Sequence, residues 1–541
     1  MRRARRFIVF SVLGALASSL SCMQATLSAA GAPLSQLPVA APKLVVFITV
    51  DQLRGDMLDR FSGQLRYGYA RLMRGAWYVN AFQDHAITET APGHASTMSG
   101  RFPRSTGITS NATGGVIDPN YRLIVGREGG ASPFRFQGTT LFDWLYAKDK
   151  RTRALSVSLK DRGAILPIGR AKQDVYWYSA NGSFTTSNYY RDTLPTWVIA
   201  FNARRIPQTY AGAWWKLLRD SADYAEPDSV PFEGGAPDIV FPHPFPTDSA
   251  GAASYIRTTP SMDSLTALFA LEGLQQLGMG QGPQTDILAV SFSATDYIGH
   301  RYGPDSREAH DNELRLDQTI GWFLDSLFRR RDSSSVIIAL TADHGVSPIP
   351  ELARQRGQVT GDQGMRVSLR PQVAAVREGL RGAGVDTMAF FYDGEVVALD
   401  REALTRGGLK GDSILNAFAA AAKQVRGVAR ADRLSALRRA DFALDPIARR
   451  WSHQFPANSP YELAITLTRY SYWGNLPGAS HGSPYDQDAH VPIIFYGPWA
   501  KPGRYTEFAR TVDIAPTLAA MIGVTPLEKL DGLALVQAVK R

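Results

Sequence analysis

The stretch LVVFITVD, residues 44–51, holds seven apolar or β-branched residues closed by an aspartate. A strand with one wet face alternates apolar and polar residues. This one is apolar on both faces, the pattern of a central parallel strand covered by helices on each side. Similar runs recur at DILAVSF (286–292), SVIIALT (335–341) and VPIIFYG (491–497). Helical patterns lie between or after them. Ser306 to Leu327 places Leu314, Leu316, Ile320, Phe323, Leu324 and Leu327 on an amphipathic repeat, and Asp513 to Ile522 predicts a late helix. Strands alternating with helices predict an α/β fold, a doubly wound and mostly parallel central sheet with helices on both faces.

Two segments break that rhythm. Residues 170–260 are rich in aromatics, Pro and Gly. Residues 350–478 carry a hairpin signal, AFFYDGEVVAL with Asp393-Gly394 at the turn, an Ala-rich helix near 414–425 and the strand-like ELAITLT. Both read as insertions that cap the sheet of a catalytic domain spanning 41–541, the first rich in loops and the second a small α+β subdomain.

The N-terminus, MRRARRFIVFSVLGALASSLSC, places four arginines before an apolar run and is followed by small residues, the layout of a secretory signal peptide over residues 1–32. The run is shorter than the ~20 residues a spanning helix needs, so export to the periplasm or medium is expected over a retained anchor. Cys22, the one cysteine of the chain, stands where a lipid anchor would attach, but Ser19-Leu20-Ser21 fits that signal poorly. If cleavage falls in the Ala-rich stretch after it, disulfides and thiol catalysis are excluded. The formal charge is +9, of which the leader's arginines carry four, leaving +5 without a dense basic block. Nucleic-acid binding is therefore not indicated. No later apolar run is long enough to span a bilayer, and a monomer is the expected state.

Each strand run ends near an acid. LVVFITV is followed by Asp51, DILAVSFSAT by Asp296 with His300 four residues later, and SVIIALTA by Asp343-His344. In a parallel sheet the carboxyl ends of the strands converge on one edge. Acids gathered there repel each other and are costly to desolvate unless a cation joins them. A later segment, HGSPYDQDAHVP, brings His481 to the same edge, with His490 as its rival. His85, His243, His310 and His453 lie outside the constellation and read as structural. Imidazole with carboxylate and no thiolate suits Zn²⁺, with Mn²⁺ or Fe possible. The donor set exceeds one tetrahedral zinc and divides between two ions about 4 Å apart.

With FITVDQLRGD, TETAPGHAST, GITSN, SLKDRGAILPIG, SFSATDYIGH, LTADHG and SHGSPYD in that order, the chain resembles the alkaline phosphatase superfamily. More narrowly it resembles the PafA-type alkaline phosphatases, relatives of the nucleotide pyrophosphatase/phosphodiesterases. The resemblance runs from about Lys43 to the C-terminus. It implies one zinc on Asp51, Thr90, Asp343 and His344, and a second on Asp296, His300 and His481. It also implies that Thr90 is a nucleophile passing through a covalent phosphothreonine, that Asn111 contacts a phosphoryl oxygen, and that Lys160 and Arg162 mark a phosphate monoesterase. Lys160-Asp161-Arg162 would point both cations one way if the segment were extended. His94 then has no ligand to supply, and is expected to hold the turn that presents Thr90.

The expected activity is broad phosphate-monoester hydrolysis. The competing readings are a phosphodiesterase, or a monoesterase with strong diester side activity, and a non-catalytic zinc- or phosphate-binding protein. A sulfatase would need Cys or Ser where TAPGH stands.

Overall fold

The computed structural model describes residues 40–540 apart from 113 and 235–237. The leader and Cys22 lie outside the described residues. A ten-stranded sheet forms the centre. Its strands, numbered along the chain, are β1 (Leu44–Val50), β2 (Ala76–Phe82), β3 (Ala154–Ser158), β4 (Asp174–Ser179), β5 (Ser183–Thr185), β6 (Asp286–Phe292), β7 (Val336–Thr341), β8 (His490–Tyr496), β9 (Gly503–Tyr505) and β10 (Ala509–Arg510). The order is β9-β2-β8-β7-β1-β6-β3-β4-β5, with β10 also on β2.

The two-faced burial expected of LVVFITV is observed. Leu44, Val46, Ile48 and Val50 enter one hydrophobic core, and Val45 and Phe47 enter a second core on the opposite face. The same split runs through β6 and β7: Leu288, Val290, Ile338 and Leu340 face the first core, and Ile287, Ala289, Ile337 and Ala339 the second. Each such large aliphatic side chain contributes about 1.5–3 kcal/mol by burial.

Strands β7, β1, β6, β3 and β4 are all parallel to their neighbours in this run. VPIIFYG departs from the expectation of another parallel strand: β8 is antiparallel to both β7 and β2. Continuous apolarity reports burial on two faces and carries no information about direction. Pro492 has no N–H to give the ladder, and the β8–β2 register shifts between Val491 and Ile493. Asp174–Thr185 also departs from expectation. Within the stretch read as the first insertion, it supplies β4 and β5 and continues the central sheet.

Residues 350–478 contain a separate four-stranded sheet, in which the hairpin Phe390–Asp393/Val396–Leu399 pairs with Tyr461–Leu467 and then Val428–Arg433. The helix Gly411–Lys423 packs on it, and its core includes Phe390, Val397, Leu415, Phe418, Leu463 and Ile465. Gly394 at the hairpin turn has φ 55°, a left-handed conformation that suits glycine. The long amphipathic helix runs from Arg307 to Phe328 with Ser306 capping it, and the late helix from Ile514 to Ile522.

A candidate metal centre at the carboxyl edge of the sheet

Four adjacent parallel strands deliver the polar groups. Asp51 follows β1, and Asp343 and His344 follow β7. Asp296 and His300 sit on a helix after β6, here called α2 (Ala294–Tyr302), and Lys160 follows β3. Because β8 runs antiparallel, its start lies at this same edge, and the segment preceding it carries His481 there. Thr90 is the first residue of helix α1 (Thr90–Ser99), which follows β2 and is buried along its whole length.

The ligand candidates come together as two sets around one residue. His344 Nε2 lies 3.6 Å from Asp51 Oδ1, 3.6 Å from Asp343 Oδ2 and 3.4 Å from Thr90 Oγ1. Asp296 Oδ1 lies 3.3 Å from His300 Nε2 and 3.6 Å from His481 Nε2, and those two nitrogens are 3.2 Å apart. His344 also approaches Asp296 Oδ1 at 3.9 Å, so it stands between the two sets.

Each imidazole is oriented by its other nitrogen. Nδ1 of His300, His344 and His481 faces the carbonyl of Ala479, Gly345 and Thr88 at 2.9, 2.9 and 2.8 Å. A carbonyl accepts only, so Nδ1 carries the hydrogen in each and donates it. In the neutral ring, Nε2 then presents a lone pair to the cluster, the arrangement that metal-ligating histidines use. Burial pushes His344 down to about 3, helped by the cations nearby and opposed by Asp343, so its ring is neutral. Burial and the neighbouring Asp343 carboxylate raise Asp51 well above the usual carboxylate range. Asp51 Oδ1 accepts no hydrogen bond among the described residues, and Asp51 Oδ2 faces the Lys160 ammonium. Lone pairs and acids facing one another in a buried cleft fit a divalent cation.

Lys160 and Arg162 do not follow the extended geometry expected of them. Lys160 is extended, but Asp161 and Arg162 already belong to a short helix, Asp161–Ile165. The Lys160 ammonium reaches 2.7 Å from Asp51 Oδ2, 2.6 Å from Asp296 Oδ2 and 3.3 Å from Thr90 Oγ1. Burial opposes the charge on Asp296, but the Lys160 ammonium outweighs it and holds that carboxyl well below its usual range. Arg162 lies further out, 3.6 Å from Asp161, with Nε unpartnered among the described residues and its charge favoured by Asp161, Asp51 and Asp296 against burial. Asn111 braces the threonine turn. Its Oδ1 accepts from the Ala91 N–H at 2.8 Å, and its own N–H donates to Glu89 Oε2 at 2.6 Å.

His94 is fully buried. Nδ1 lies 3.0 Å from the Thr90 carbonyl and 3.2 Å from Asp343 Oδ2, and Nε2 lies 3.1 Å from Ser291 Oγ. It ties the threonine turn to two strand ends. His490 bonds to the Val79 carbonyl through Nε2 at 2.8 Å, while His481 contacts Asp296. His243, His310 and His453 pair with Glu308, Glu226 and Asp84. Sequence reasoning passed over Gln52, whose backbone N–H and side-chain amide bond to Asp343 and Asp296. Only its place directly after Asp51 hinted at it.

Gly93 brings the turn against the metal edge. A Cβ there would lie 2.1 Å from the Asp343 carbonyl oxygen and 2.8 Å from the Asp343 Cβ. Gly93→Ala is expected to cost about 1–3 kcal/mol through this overlap, read as a lower unfolding midpoint.

A family model described as type I phosphodiesterase / nucleotide pyrophosphatase matches residues 45–379. Alkaline phosphatase PhoV of Synechococcus elongatus is 32% identical, over 90% of this chain and 91% of PhoV. A protein of Myroides odoratus named calcium-transporting ATPase is 30% identical, over 91% of this chain and 94% of its own. The crystal structure of wild-type alkaline phosphatase PafA matches with a TM-score of 0.85 at 27% identity, covering 93% of this chain and 100% of PafA. A PafA variant with one threonine, one asparagine, one lysine and one arginine replaced also matches, with a TM-score of 0.84 at 26% identity over 93% of this chain and 100% of its own. There the threonine and asparagine are 21 positions apart and the lysine and arginine two, the spacings of Thr90 to Asn111 and Lys160 to Arg162.

Proposed function

We infer the function of a chain that belongs to the type I phosphodiesterase/nucleotide pyrophosphatase family and, with it, to the PafA-type alkaline phosphatases. On that premise we propose that it is an exported, zinc-dependent phosphate monoester hydrolase of broad specificity. One observation carries the metal reading: three imidazoles, each anchored through Nδ1 to a backbone carbonyl, aim Nε2 at a buried group of carboxylates.

Asp51, Asp343, His344 and Thr90 would hold one ion, and Asp296, His300 and His481 the other. When bound, zinc supplies Lewis acidity that lowers the pKa of a neighbouring hydroxyl and offsets charge on the leaving oxygen. Thr90 attacks phosphorus. The Thr90 Oγ–phosphorus bond forms as the hydroxyl gives up its proton to solvent and the ester bond to the leaving oxygen breaks, that oxygen taking up a proton; water then cleaves the phosphothreonine, releasing phosphate and restoring the Thr90 hydroxyl. The N-terminus of α1 favours the arriving anion. A monoester dianion carries one more negative charge than a diester, and Lys160, Arg162 and the Asn111 amide are the donors for its nonbridging oxygens.

The family description also keeps a diesterase reading open, and Lys160 with Arg162 argues against it as the main activity. The test of the whole proposal is metal dependence. A chelator should abolish phosphate release from an aryl phosphate, and zinc should restore it with two equivalents bound per chain. Full activity in metal-depleted protein would refute the proposal.

A further inference from the structure

Gln52 follows Asp51 and is 2% exposed. Its φ is 69°, a left-handed conformation that a residue with a Cβ rarely adopts and that glycine takes freely. Such geometry persists where the surroundings over-determine it, and it concentrates at functional sites. The bonds made here are specific. The Gln52 backbone N–H donates to Asp343 Oδ1 at 3.0 Å, and Nε2 of its side chain donates to Asp296 Oδ1 at 2.9 Å. One residue thus reaches a carboxylate of each candidate ligand set. Its path along α2 is cleared by Gly299, where a Cβ would lie 1.8 Å from Gln52 Oε1. Gly299 sits between Asp296 and His300, so the helix that carries those two donors is shaped around this amide.

We propose that Gln52 is a positioning residue that couples the two metal sites: its twisted backbone orients Asp343 and its amide fixes the rotation of Asp296. With the amide on Oδ1, the Asp296 carboxylate cannot swing, and Oδ2 stays turned toward the Lys160 and Asp51 side. A glycine would relieve the backbone but surrender the grip on Asp296. The inference rests on the two-zinc reading above.

The experiment titrates zinc into metal-depleted wild type, Gln52→Met and Gln52→Gly, and records the thermal midpoint of each zinc-free protein. Methionine fills the same space without a donor. Wild type should bind two equivalents. Each variant should bind one of the two about 10- to 100-fold more weakly, the usual cost of losing a group that orients a metal ligand. Zinc-free Gln52→Gly should melt at or above wild type. Two equivalents bound with wild-type affinities by both variants would overturn the inference. So would a zinc-free Gln52→Gly that melts well below wild type, because packing would then explain the residue. A wild type that takes up no zinc would refute the metal reading itself and this inference with it.

Discussion

Thr90→Ala is expected to lower kcat/KM for an aryl phosphate by about 10³- to 10⁶-fold, the scale on which nucleophile deletions act, with the fold intact. The hydroxyl contributes little to stability. Thr90 begins α1 without serving as its cap, and its Oγ1 contacts are Lys160 at 3.3 Å and His344 at 3.4 Å. Alanine is also a good helix former, so the unfolding midpoint should hold or rise. Thr90→Ser keeps a hydroxyl at the same backbone position and should retain most of the lost rate. Undiminished turnover in Thr90→Ala would move the nucleophile elsewhere.

The second large effect concerns charge. Arg162→Ala should reduce monoester turnover by about 10²- to 10³-fold, as expected for a donor aimed at developing charge, and diester turnover far less. Lys160→Ala should show the same bias but is the less clean test. Its ammonium touches Asp51 and Asp296, so its removal changes the zinc sites as well as the substrate pocket. Arg162 pairs with Asp161, outside the ligand sets, and isolates the charge argument. Equal losses on both substrates in Arg162→Ala would contradict it.

Much of this was legible in the sequence because strand ends are. Two-faced apolar runs locate β1, β6 and β7, and the acid after each run is carried to a shared edge by parallel pairing alone. Direction was not legible for β8, since burial on two faces looks alike either way. Yet its antiparallel course is what returns His481 to the edge where the acids lie. The Lys160-Asp161-Arg162 alternation suggested a shared face, but a helix begins within it, so the two-residue period of an extended segment does not hold there. Gln52 was invisible for another reason. Nothing in the string Asp-Gln-Leu announces a left-handed backbone, and its two partners are 244 and 291 residues away. Asp174–Thr185 was misplaced because its aromatics resemble a loop-rich insertion, although Trp177 and Tyr178 are buried in the central sheet.

The most direct test of the account is the ratio of kcat/KM for an aryl phosphate to that for its methyl diester, measured on wild type and Arg162→Ala side by side. A ratio well above one that collapses in the variant is the predicted result. A wild type that hydrolyses the diester faster, with a ratio unmoved by the substitution, would contradict it.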